Sequence, residues 1–179
     1  MRWNNDGSKF FVVNYGTDSV VEYSASNAYS VTSGTITEGT NYSVSSYESN
    51  PLDVAFNTDG TKMYVIGNGS DKIHEWTLST GFDLSSTVTY IDSLSVQSED
   101  TGPVEIQFNN DGTKMYIAGV GGRDINEYTL STAFDISSTV THKGSYSINS
   151  SDVYAYGFSF NNDGTKLFTT GANNDRVNE

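Results

Sequence analysis

The chain has 179 residues, a formal net charge of −13, twelve Tyr, nine Phe, two Pro and no Cys. So acidic a surface repels phosphate backbones and anionic membranes, and the absence of cysteine excludes disulfides, thiolate metal sites and a cysteine nucleophile. No apolar run is long enough to span a bilayer, and no Ala/Leu/Glu/Lys stretch has a helical period, so the aromatic, Ser, Thr and Gly content predicts short strands joined by polar turns.

"MRWN" reads as the end of a strand that enters the turn Asn5-Asp6-Gly7-Ser8. Asn and Asp tolerate left-handed backbone there, and Gly supplies positive φ without steric cost. "KFFVVN" predicts a second strand, "YGTDS" a polar loop, "SVVEYSAS" a third strand, and a longer Ser-rich connection leads to a fourth. The pattern then restarts. "LDVAF" runs into Asn57-Thr58-Asp59-Gly60-Thr61, followed by "KMYVIG", "NGSD", "KIHEWTLS", the connection "STGFDLSS" and the strand "TVTYIDSLSV". The next copy reads "VEIQF", "KMYIAG", "VGGRD", "DINEYTLS" and "TVTHKGSYSI". A last copy opens with "YGFSF" and runs to "RVNE".

The Asp-Gly pairs stand at 6, 59, 111 and 163, spacings of 53, 52 and 52 residues. Four antiparallel strands in a unit of this length are the pattern of a β-propeller blade. A β-sandwich of two large repeats would not require the same turn in every unit. The expected fold is therefore an all-β β-propeller with four-stranded antiparallel blades, at residues 1–50, 51–102, 103–154 and an incomplete 155–179. That makes one partial domain over 1–179, of about three and a half blades. An open ring exposes a blade face at each end. A piece of a longer propeller is the favoured explanation, with a homodimer completing the ring as the runner-up.

"PLDVAFNTDGTKMYVIGNGSDKIHEW" resembles the YVTN and lactonase-like seven-bladed propeller repeats, and "RWNNDGSKFFVV" also resembles the TolB-like repeat. The resemblance covers the first three strands of each copy. It implies the propeller fold, which hosts many unrelated activities. The Pro usual before Asp-Gly in these repeats is replaced by Asn5, Thr58, Asn110 and Asn162.

Residues kept in every copy read as blade construction. Lys9, Lys62, Lys114 and Lys166 follow the turns, and Glu22, Glu75, Glu127 and Glu179 recur in the third strand. Charge pairing, or hydrogen bonds between blades, is their expected role. The turn is no EF-hand loop: with Gly112 sixth, Gln107 would be first and Ala118 twelfth. His74 and His142 lie in different copies, and no G-x-S-x-G elbow is present.

Differences between copies point to function. The loops that reach a channel mouth are those joining the fourth strand to the next blade and the second strand to the third. The first kind, "SSYESN", "QSEDTG" and "NSSDVYAY", contribute Glu48, Glu99, Asp100 and Asp152, with Tyr47, Tyr154 and Tyr156. The second kind contribute Asp18, Asp71, Asp124 and Asp175, with Arg123 and Arg176. Asp53 and Glu105 stand at matching places near the start of the first strand, where the last copy has Gly157. Asp53, Glu105, Glu48, Glu99, Asp100, Asp71, Asp124, Asp152, Tyr154 and Tyr156 form the candidate ligand-binding set.

Tyr rings offer stacking surfaces and carboxylates accept sugar hydroxyls, and an acidic mouth could also take a divalent cation such as calcium. An enzyme needs one asymmetric cluster of converging groups, whereas these copies vary by degrees. The expectation is therefore a non-catalytic module that recognises a glycan or protein, with no catalytic or metal residues assigned and no resident cofactor. Nucleic acid and membrane insertion are not expected, and the favoured setting is secreted, cell-surface or virion-associated. The alternative is a channel-mouth hydrolase of lactonase-like or glycoside-cleaving type.

Overall fold

A computed structural model describes residues 1–149, 154–171 and 177–179. The described residues hold fifteen strands and no helix. The first sheet comprises β1 (Arg2–Trp3), β2 (Lys9–Asn14), β3 (Ser19–Ala25) and β4 (Ile36–Ser43). The second comprises β5 (Pro51–Phe56), β6 (Lys62–Gly67), β7 (Lys72–Leu78) and β8 (Val88–Ser95). The third comprises β9 (Pro103–Phe108), β10 (Lys114–Gly119), β11 (Asp124–Leu130) and β12 (Val140–Ser147). The fourth comprises β13 (Ala155–Phe160), β14 (Leu167–Gly171) and β15 (Val177–Asn178). Every sheet is antiparallel with strands in chain order, so this is a partial β-propeller of three four-stranded blades and one three-stranded blade.

The first strand of each blade is innermost, since β5 abuts β9 and β9 abuts β13. The fourth strand is the outer edge, and β12 is exposed along nearly its whole length. In between, alternation feeds two cores. Met63 and Val65 of β6 pack with Phe11, Val20 and Trp76 between the first and second blades. Tyr64 and Ile66, the alternate residues, pack with Ile106, Met115 and Ile117 between the second and third. Successive side chains of a strand point to opposite faces, so a middle strand buried on both faces reads as the unbroken apolar run "KMYVIG".

The repeated turn closes on itself. Asp59 Oδ1 accepts from the Thr61 N–H at 3.0 Å and from the Thr61 hydroxyl at 2.5 Å. Asn57 Oδ1 accepts from the Lys62 N–H at 2.9 Å. Gly60 has φ of +73°. A Cβ built there would overlap the ring of Phe82, which belongs to the connection between β7 and β8. The conserved turn thus docks the longer connection of its own blade.

The conserved Lys and Glu then fasten that connection to the preceding blade. Lys62 Nζ lies 2.7 Å from Glu75 Oε1 and donates to the Phe134 carbonyl at 2.7 Å. Glu75 Oε2 accepts from the Ile136 N–H at 2.9 Å. Lys9 and Glu22 repeat the arrangement toward Phe82 and Leu84, with distances of 3.0 and 2.8 Å.

Candidate site on the channel wall

Two positions of the innermost strands build the site. At the first stand Asp53, Glu105 and Gly157, one per blade. Asp53 Oδ2 accepts from the Ile106 N–H at 3.3 Å, and Glu105 Oε2 accepts from the Phe158 N–H at 2.6 Å. Each carboxylate thereby fastens its strand to the next. Two residues on stand Arg2, Ala55 and Gln107. Gln107 donates to the Phe158 carbonyl, and Arg2 Nε donates to the Val54 carbonyl at 3.1 Å. Ala55 has nothing to donate, and Arg2 Nη2 reaches past it to the Ile106 carbonyl at 3.2 Å.

The same Nη2 lies 2.6 Å from Asp53 Oδ2 and 3.0 Å from Glu105 Oε1. One guanidinium thus joins three inner strands and two carboxylates. Burial works to lower its pKa. The charges of Asp53 and Glu105 and their hydrogen bonds outweigh that and hold Arg2 above its ordinary value. Among the described residues, Arg2 Nη1 and Asp53 Oδ1 have no protein partner. Arg2 lines two cavities. One, of about 260 Å³, is also lined by Asp53, Glu105, Tyr156 and Gly157. The other, of about 480 Å³, lies toward the repeated turns and is lined by Trp3, Phe56, Gln107 and Phe108. The smaller one carries the charged chemistry. The larger is walled chiefly by rings and turn amides already engaged in blade packing.

The remaining candidates divide by what they touch. Glu48 is fully buried and accepts from the N–H groups of Asn50, Gly69 and Ser70 at 2.8, 3.0 and 3.3 Å, and from the Ser70 hydroxyl. Asp100 does the same one blade on, for Gly102, Gly121 and Gly122. Both acids fold back onto the mouth loops. Asp71 is half-exposed near Gln97, Glu99 takes the Ser98 hydroxyl, and Asp124 takes the Asn126 amide. Burial first, then the charge of Asp100, raises the pKa of Asp71 and Asp124. Tyr154 stacks on Tyr156 with centroids 6.2 Å apart, and Arg123 lies over the Tyr154 ring at 5.9 Å. Asp152 lies outside the described residues.

His74 is buried, its Nε2 3.1 Å from the Ser70 hydroxyl, and burial lowers its pKa. That hydroxyl also bonds Glu48, whose carboxylate is committed to the loop. Among the described residues no group of three or more His or carboxylate side chains is placed to hold a metal ion.

Of the candidate set, then, Asp53, Glu105 and Tyr156 come together, and Arg2 is the member that sequence reasoning missed. Its signal was present: the repeat aligns Arg2 with Ala55 and Gln107, a cation where the other copies have none.

Over residues 1–178 the sequence matches the family model described as Lactonase, 7-bladed beta-propeller. The chain belongs to this lactonase propeller family. No curated protein is similar to it in sequence. Among solved structures, a protein of Lactobacillus plantarum is similar with TM-score 0.70 and 17% identity, over 98% of this chain and 48% of its own. The candidate 6-phosphogluconolactonase of Bacteroides fragilis gives TM-score 0.65 and 18% identity, over 94% and 46%. The periplasmic gluconolactonase of Pseudomonas aeruginosa gives TM-score 0.62 and 13% identity, over 98% and 47%. The chain thus spans about half the length of the structures it matches. Membership of a lactonase family corrects the expectation of a non-catalytic module. The mouth loops vary by degrees; the asymmetry among the copies lies on the inner strands, where Arg2 stands in place of Ala55 and Gln107 and joins two carboxylates.

Proposed function

We propose that this chain supplies one wall of a lactone-hydrolysing channel, with the reaction at Arg2, Asp53 and Glu105. The observation that carries the reading is the pair of unfilled valences, Arg2 Nη1 and Asp53 Oδ1, on side chains that line one cavity. Water attacks the lactone carbonyl carbon and Asp53 Oδ1 takes its proton. Arg2 Nη1 donates to the oxygen that becomes negative, the electrostatic role of an oxyanion hole. The bond from the carbonyl carbon to the ring oxygen breaks, and that oxygen leaves with the proton held by Asp53. The product is a hydroxy acid. Glu105 positions Arg2, holding Nη2 so that Nη1 stays directed at the cavity. Lactonase family membership supports the reaction class.

The test is the rate of acid release from glucono-δ-lactone above the spontaneous rate. Asp53→Asn keeps an oxygen for the Ile106 N–H but loses the base, and the enzymatic rate should fall by about 10²-fold or more while the circular dichroism stays native. A folded variant with an unchanged rate overturns the role given to Asp53.

A further inference from the structure

Resting on that reading, we infer that the site takes uncharged polyhydroxy lactones and discriminates against phosphorylated ones. Phosphate is held by unpaired Arg or Lys, by helix N-termini, or by concave groups of backbone N–H donors. Among the described residues, the channel wall offers none of the three.

The cations come first. Arg2 already faces Asp53 and Glu105 at 2.6 and 3.0 Å, so these three side chains together carry a net negative charge. Lys9, Lys62, Lys114 and Lys166 are each paired with a Glu in their own blade. Arg123 lies over Tyr154, Lys72 begins the third strand of its blade, β7, and Lys143 sits on the outer-edge strand β12, so none of the three is on an innermost strand. Among the described residues, no Lys or Arg side chain other than Arg2 lines either cavity beside it.

Helix N-termini are missing from the described residues altogether. That leaves the backbone donors. The mouth loops do present converging N–H groups, at Gly69 and Ser70 and again at Gly121 and Gly122. The protein's own carboxylates, Glu48 and Asp100, occupy both sets. An incoming phosphate would have to displace a buried internal anion at each. A neutral polyol meets no such barrier. Arg2 Nη1 can donate to its hydroxyls, Asp53 Oδ1 can accept from them, and the exposed Tyr156 ring can stack on its C–H face.

The experiment compares kcat/KM for glucono-δ-lactone and for its 6-phosphate, using the whole chain, at low and high sodium chloride. In parallel, thermal shift follows a titration with inorganic phosphate alone. The neutral lactone should be preferred by about tenfold or more at low salt, since like charges brought together repel. The preference should shrink as salt screens the wall, and inorganic phosphate should leave Tm unmoved beyond a chloride control. Equal or better use of the phosphate ester overturns the inference and leaves the lactonase reading standing. A saturable phosphate-dependent rise in Tm overturns it even if no lactone is hydrolysed. Turnover of neither lactone overturns the lactonase reading, and the inference falls with it.

Discussion

At Gly60 two demands meet. Its φ of +73° belongs to the left-handed region, and the space where a Cβ would stand is filled by the ring of Phe82. Gly164 has nearly the same φ, +71°, but open space at that place. The two glycines therefore separate backbone strain from crowding. Gly164→Ala should cost about 1 kcal/mol from φ alone. Gly60→Ala should add about 1–3 kcal/mol for displacing the ring. Urea unfolding of both variants measures the difference, and equal losses would show that the ring yields freely. The sequence repeats Asn-x-Asp-Gly four times and so declares the turn, but not that the turn is also a socket for an aromatic ring more than twenty residues later.

Blades are joined by a unit larger than any residue: a Lys–Glu pair of one blade grips the connection of the next. Beneath the third blade's connection Glu75 is sealed, with 0% side-chain exposure beside Lys62 at 24%. At the corresponding place in the third blade, Lys114 and Glu127 make the same contact at 2.9 Å but remain 43% and 37% exposed. Lys62→Met would strand a buried carboxylate and should cost about 3–5 kcal/mol. Lys114→Met breaks an exposed pair and should cost at most about 1 kcal/mol. If urea denaturation gives the two variants equal losses, burial is not what makes the pair matter.

At this scale the sequence was most legible. The period sets the blades, and alternation within "KMYVIG" and "KMYIAG" sets the two buried faces. The differences between copies pick out Asp53 and Glu105. Glu48 and Asp100 were legible only as acids in mouth loops, because their inward turn depends on backbone donors from a separate loop more than twenty residues on. Arg2 was hidden by its place in a two-residue strand, where the ladder to β2 is short and the partners lie on two other blades.

Over the whole molecule, acid should act through two opposed effects. A net charge of −13 makes the folded chain repel itself, so protonating carboxylates relieves strain. Against this stand six aspartates whose pKa values the fold depresses. Asp6, Asp59, Asp111 and Asp163 in the turns, and Asp83 and Asp135 in the connections, each accept chiefly from the Ser or Thr hydroxyl two residues on, with that residue's N–H adding to the effect. A depressed folded pKa means that the folded state holds fewer protons than the unfolded one across that window. The six contributions are complete above the ordinary unfolded value of about 3.9 and are lost as pH falls through the folded values. Asp71 and Asp124 are raised, so they weaken the fold once ionised and recover as pH falls. The six caps hold the turns and connections on which every blade docks, whereas the two raised groups sit at the ends of mouth loops. Tm should therefore change little from neutral pH down to about 5 and fall steeply below about 4. A Tm that climbs continuously into that acid range would show that charge relief outweighs the caps, and that the repeated Asp is kept for its turn geometry and not for its ionised hydrogen bonds.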